Sequence, residues 1–351
     1  MAVERKKFDF DSHWVSEQIN NGFLGIQNPV LVGILKFSLP WNLLAGIYTI
    51  LHSGDWSGSF MYASALGLLW VNIAPALIWH YDERVLPEFF SHLSELIPNK
   101  QKRKDLAKKY NQFFAKHRIS ITLFWTIAFV TIVYTSEAAL VDQGMVGTGS
   151  IFIWTTYAYA IYIGAVLGQG FVGPITTILL IREVSNIELE IDPLHPDNLG
   201  GLSNVGYISI RTTLLFSSGS LFLPLLFFFS SEGGVSTIIF GFTAIYILTI
   251  LISFIYPTAL VNRRAQEYRD SILDDLRQRY LDIEEKTQDP ENDRISELNK
   301  RLELQKVQNK YDNYNSVRLY PLQLNILTRL VGSIILPILF MLVELYLPEL
   351  L

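Results

Sequence analysis

The stretch EIDPLHPDNLGGL, residues 190–202, packs a histidine, three acids, two prolines and a glycine pair into thirteen residues. His195 could act as a general base, oriented by Asp192 or Asp197. The same three side chains could hold a hard cation through oxygen and imidazole ligands. Asn198, Gly200 and Gly201 complete the candidate set for binding or for coupling to other segments. One histidine and two acids are only a fragment of an active site, so no catalytic residue is assigned. No G-x-S-x-G, H-E-x-x-H or G-x-x-x-x-G-K-[ST] element accompanies them. The chain has no cysteine, which excludes disulfides, thiolate metal sites and thiol catalysis. Cofactor and metal stay open. The loop also makes sense as a rigid turn. Pro193 and Pro196 stop a helix, Asp197 can cap the next one, and Gly200 and Gly201 allow positive φ.

A second group of suggestive residues lies within apolar sequence. In WTTYAYAIYIGAVLGQGFVGPITTILL, Gly164 and Gly168 form a G-x-x-x-G step that lets two helices approach closely. Gln169 follows near mid-depth, and then Gly173 and Pro174. A Gly-Pro-interrupted helix is the kind of broken element that lines a cavity in transporters and channels; a kinked packing helix is the plainer alternative. Glu137, Arg211 and Arg329 are further pore or packing candidates, because charges within apolar runs usually face a bundle interior or water. Arg211, Arg329 and Lys36 lie close enough to one end of their runs to snorkel.

These residues must be positioned by membrane helices. Half of the residues are hydrophobic and 17% are charged, against about 25% charged in soluble domains. Apolar windows at 30–51, 59–79, 119–141, 151–180, 206–229, 235–260 and 330–347 are each long enough to cross about 30 Å of hydrocarbon as helix. The first is interrupted by Lys36 and Pro40. Strand-like alternation is absent. The expected fold is all-α, a polytopic membrane protein with about seven transmembrane helices. The start MAVERKKFDFDSHW carries no signal-peptide pattern.

Lys and Arg alternate with the spans. Residues 80–118 hold nine and residues 261–321 hold twelve, whereas SGDWSG, DQGMVGTG, SSEGG and the final PELL hold none. The positive-inside rule then places the N-terminus in the cytoplasm of a cell-membrane protein and the C-terminus outside. Residues 1–29 read as a cytoplasmic amphipathic segment, and 30–260 as a six-helix region with cytoplasmic connections at 80–118 and 183–205. Residues 261–321 read as a cytoplasmic helical hairpin broken at TQDPEND, and 322–351 as the final span. The hairpin stripes are Ile272, Leu273, Leu276, Tyr280 and Ile283, then Ile295, Leu298, Leu302, Val307 and Tyr311. Narrow stripes suit pairing with one another or with another subunit, as in a coiled coil. The basic helix QKRKDLAKKYNQFFAKHR is expected to lie against the anionic inner leaflet with Leu106, Tyr110, Phe113 and Phe114 as anchors.

The HPD tripeptide does not place the chain among J-domain proteins, where it follows a basic helix in a soluble domain; here it follows acidic IELEIDPL and enters an apolar run. DPLHPDNLGGL instead resembles the DP-x-HPD-x-x-GGL loop of a group of uncharacterised prokaryotic polytopic membrane proteins. Tyr320-Pro321, Arg329 and Leu336-Pro337 follow in the matching order, over roughly the second half of the chain. Tyr320 stands where tryptophan is expected, and Asn198 where a basic residue is expected. The resemblance implies no activity. It implies that the loop and the last span form one module, with His195 or Asp197 near Tyr320–Arg329.

The leading expectation is an oligomeric channel- or transporter-like protein regulated from its cytoplasmic side. One alternative is a sensor or scaffold that recruits a protein partner through the hairpin. Another is a membrane-embedded enzyme using His195. The lipid bilayer is a partner in every case, self-association is expected, and a net charge of −5 suggests no nucleic acid.

Overall fold

The computed structural model describes residues 10–52, 56–142, 149–187, 192, 195, 201, 203–233, 236–285, 294–316, 335 and 339. Among them the regular structure is helical, with one isolated bridge between Phe23 and Ile26 and no strand. Six helices are long and apolar enough to cross a membrane. The protein is an all-α polytopic membrane protein. The expected seventh span lies outside the described residues apart from Ile335 and Leu339, which are helical and exposed.

α1 is Trp14–Asn20, a short amphipathic helix that buries Val15, Ser16 and Ile19. The first span comprises α2 (Pro29–Gly33), a π-helical turn at Ile34–Ser38 and α3 (Leu39–His52). The second is α4 (Gly58–His80), which continues through a π-helical turn at Tyr81–Val85 into α5 (Leu86–Leu96). The third is α6 (Lys100–Thr135), followed by α7 (Glu137–Asp142), and the fourth is α8 (Gly149–Ser185). The fifth comprises α9 (Ser203–Ser217), a 3₁₀ turn at Ser218–Phe222 and α10 (Leu223–Gly233). The sixth belongs to α11 (Ser236–Glu285), against which α12 (Arg294–Ser316) packs.

The three irregular turns share one sequence cause. Each is followed at once by a Leu-Pro pair: Leu39-Pro40, Leu86-Pro87 and Leu223-Pro224. Proline has no N–H, and its ring crowds the carbonyl four residues back; widening or tightening the preceding turn relieves that clash without ending the helix. Pro75, Pro174 and Pro257 sit inside helices that stay α throughout. The fourth span is therefore continuous across Gly173-Pro174, not a broken element. Gly173 O, beside the proline, accepts hydrogen bonds from Thr176 Oγ1 at 3.0 Å and from the Tyr81 hydroxyl at 3.3 Å.

Residues 80–118 also fold differently from a pair of helices lying against the bilayer. α5 extends the second span, and the basic helix is the first half of the third span, continuous from Lys100 to Thr135. Leu106, Tyr110 and Phe114 are buried, and they pack with Phe89, Phe90, Leu93, Leu180, Val184 and Ile208 into a core separate from the main membrane core. Burial against protein outcompetes burial against headgroups, because several partly apolar faces meet there.

The fourth and fifth spans are central, 67% and 78% buried over their most apolar windows, against 22–39% for the other four. Gly164 and Gly168 let the fourth span touch the third: a Cβ at either position would fall 2.6 Å from a backbone Cα, of Thr126 and Thr122 respectively. The small-residue step is thus used inside one chain. Leu43, Ile47, Ile50 and Leu51 of the first span face outward. Leu276 and Val307 are buried where α12 packs back along α11, whereas Leu298 and Leu302 are exposed.

Candidate functional site

Contacts between connections sort the molecule into two ends. His13 meets Asp82, Lys109 pairs with Glu183, and Arg211 pairs with Glu88, all at the end that carries the basic segments. Tyr48 meets Phe152 and Trp56 meets Phe60 at the opposite end.

At the basic end, His13, the N-cap residue of α1, meets the π-helical turn of the second span. Both partners are almost wholly buried, His13 at 1% exposure and Asp82 at 3%. The His13 backbone N–H donates to Asp82 Oδ2 at 2.8 Å, and ring Nδ1 lies 2.9 Å from Oδ1. A carboxylate only accepts, so Nδ1 carries the hydrogen; in the neutral ring Nε2 is then an acceptor, and in the imidazolium it is a second donor. The ring is held edge-on against Phe114 at 4.9 Å and Tyr81 at 6.2 Å. Nε2 is buried and has no protein partner.

His13 lines a cavity of about 50 Å³ together with Leu77, Tyr81, Gln169, Gly170 and Thr212, among others. Gln169 Oε1 and Thr212 Oγ1 are likewise buried without a partner. Gly170 also faces open space, with nothing within 4 Å of where a Cβ would stand. Its carbonyl loses its α-helical donor because residue 174 is proline. The Tyr81 hydroxyl, in contrast, is satisfied by Thr177 Oγ1 at 2.7 Å. Three buried polar atoms without a protein partner thus border one small cavity, where a water or another polar guest would satisfy them.

A second cavity, about 340 Å³, opens between the same spans nearer the opposite end. Its lining is mostly apolar and aromatic, including Trp41, Phe60, Phe129, Tyr159 and Phe222. Both cavities follow one seam. On the second span the lining runs from Phe60–Leu68 to Leu77–Tyr81, on the fourth from Phe152–Ile163 to Gln169–Pro174, and on the fifth from Phe229–Phe222 to Phe216–Thr212. The stretch between them is about 9 to 13 Å of helix at 1.5 Å per residue. Val71, Ala74 and Val166, all buried, occupy it.

The residues expected from the sequence divide into those brought together and those that are not. Gln169, Gly173 and Pro174 line the small cavity, whereas Gly164 and Gly168 serve helix packing. Arg211 pairs with Glu88, both half-exposed. Glu137 begins α7 and is half-buried. In the HPD loop, the His195 N–H donates to Asp192 O at 3.1 Å, a tight turn, and His195 is half-buried. Gly201 has φ +91° and is buried, 3.9 Å from His195 Cδ2 and 3.2 Å from Leu96 Cδ2 by its notional Cβ. Asp197, Asn198, Gly200, Arg329 and the Tyr320–Arg329 neighbourhood of the loop lie outside the described residues. Burial, then Tyr268, then Asp192 push the Tyr314 hydroxyl above its ordinary range, which sets Asp192 near the end of α12. Among the described residues, no three His, Asp or Glu side chains converge as a metal centre.

His13, Asp82 and Thr212 were not legible as site residues. Asp82 stands in HYDER, which reads as the charged flank of a span, and His13 sits in a segment that reads as interfacial. The usable signal was Pro174 four residues after Gly170, which predicts an unpaired carbonyl inside a span.

No family profile, curated protein or solved structure matches the chain.

Proposed function

We propose that this protein is a transporter-like membrane protein that moves a small solute along the seam between its second, fourth and fifth spans. The observation that carries the reading is the pair of cavities in series on that seam, one apolar and wide, the other small and polar. Two cavities divided by a short packed septum suit a path whose halves open in turn. Positive-inside counting puts the His13–Asp82 end and the α11–α12 hairpin in the cytoplasm, where the hairpin regulates the path. Self-association, if it contributes, uses surfaces other than Gly164 and Gly168, which the third span already covers.

Uptake of small cations, amines and neutral solutes into proteoliposomes tests the reading. Ala65 is exposed and lines the wide cavity, so Ala65→Trp places an indole in open space. Flux in the wild type, lost in Ala65→Trp at unchanged thermal stability, is the expected result. Absence of wild-type flux for every solute overturns it. That outcome favours a second reading, a scaffold that recruits a partner through the exposed Leu298 and Leu302 of α12, one helical turn apart.

A further inference from the structure

We propose that the small cavity at the basic end of the seam is a binding site for an ammonium-class cation, a monovalent ion that donates hydrogen bonds. Four acceptors border or belong to its lining: His13 Nε2, Gln169 Oε1, Thr212 Oγ1 and the Gly170 carbonyl freed by Pro174. An ammonium ion brings four N–H donors to such a set of acceptors. The volume of about 50 Å³ holds one or two water-sized guests, at about 30 Å³ for each water in the liquid.

Charge supplies the second reason. Asp82 is buried behind His13, and with a neutral imidazole the pair carries one uncompensated negative charge. A buried charge without a partner is costly, so the site favours one positive charge nearby. A nitrogen ligand argues against an alkali or alkaline-earth cation, which takes oxygen. A donor cation accepts nitrogen and oxygen alike. The other occupant that meets both demands is a proton on Nε2 itself, and it competes directly, because imidazolium turns that acceptor into a donor.

Among the described residues, the titratable groups set near His13 include Asp82 and Tyr81 on the π-helical turn and Tyr110 on α6, stacked on Phe114. Arg118 lies on the Phe114 ring at 5.5 Å. Lys36 is engaged with Gln18 O, and Glu83 with Asn20. The inference deepens the transport reading by naming a solute class, and it rests on that reading for movement of the ion though not for its binding.

The test uses the full chain in lipid nanodiscs at mildly alkaline pH, with ammonium chloride titrated against sodium chloride at constant ionic strength. Calorimetry and the thermal midpoint are read together. Saturable, ammonium-specific binding is expected, weakened about tenfold in Gln169→Leu and in Thr212→Val through loss of one charge-assisted hydrogen bond. Pro174→Ala supplies an independent arm: it restores the helical donor to Gly170 and should weaken binding without emptying the core. Identical responses to ammonium and sodium, as for a cavity that holds only water, overturn the proposal. So does ammonium binding that all three variants retain. Binding without flux overturns the transport reading alone, and flux without ammonium binding overturns only the site.

Discussion

Replacing Asp82 with alanine strips two hydrogen bonds from His13 and leaves a buried backbone N–H and a buried imidazole N–H with nothing to receive them. Each buried donor left without an acceptor costs about 1–3 kcal/mol. Asp82→Asn keeps one accepting oxygen and should cost about 1–3 kcal/mol. Chemical unfolding in detergent should rank the wild type above Asp82→Asn and Asp82→Asn above Asp82→Ala. Equal losses would mean that the carboxylate's charge, and not its accepting geometry, holds His13. At this scale the sequence misleads in a specific way. In HPD, the histidine with visible acidic neighbours, His195, forms a backbone turn and stands half-buried. Among the described residues, His13 is buried on a carboxylate, and its partner is distant in the chain and becomes visible only when α1 folds back.

The third and fourth spans test the element scale. Adding a methyl at Gly164 or Gly168 sets a carbon 2.6 Å from backbone that cannot rotate away. The helices must separate, so Gly164→Ala and Gly168→Ala should each destabilise by about 1–3 kcal/mol. Gly46, with nothing within 4 Å, is the control. Gly46→Ala should be neutral or stabilising by up to about 1 kcal/mol, since alanine is the better helix former. Thermal unfolding of the three variants settles the comparison. The G-x-x-x-G pattern was readable in advance, but its partner helix was not, because tight packing leaves no mark on the facing residues, Thr122 and Thr126. The irregular turns were half readable. Proline in an apolar run signals trouble, yet only Leu39-Pro40, Leu86-Pro87 and Leu223-Pro224 distort their helices. Pro174 leaves its helix intact, and Thr176 and Tyr81 bond the carbonyl of the neighbouring Gly173.

For the whole molecule, the spans were legible because some 20 apolar residues have few other destinies. Their extensions were not, since the basic first half of α6 looks like a membrane-surface helix until Leu106, Tyr110 and Phe114 are seen meeting α5 and α8. Orientation is testable with unusual economy. The natural chain has no cysteine, so single introduced thiols report without background. In intact cells, Gly54→Cys should react with an impermeant maleimide and Thr287→Cys should not until the membrane is opened. The reverse pattern would invert the topology. One last consequence concerns mechanics. α11 is a single helix of 50 residues, about 75 Å long, running from the sixth span into the hairpin. It has the length of a lever arm. Tilting it about 10° around its middle would sweep each tip by roughly 6 Å at that length. Its membrane half carries Tyr246, whose hydroxyl donates to Phe216 O at 2.8 Å, and Phe216 walls the small polar cavity. A helix that moved as one body would carry a torque on the hairpin to that wall as displacement.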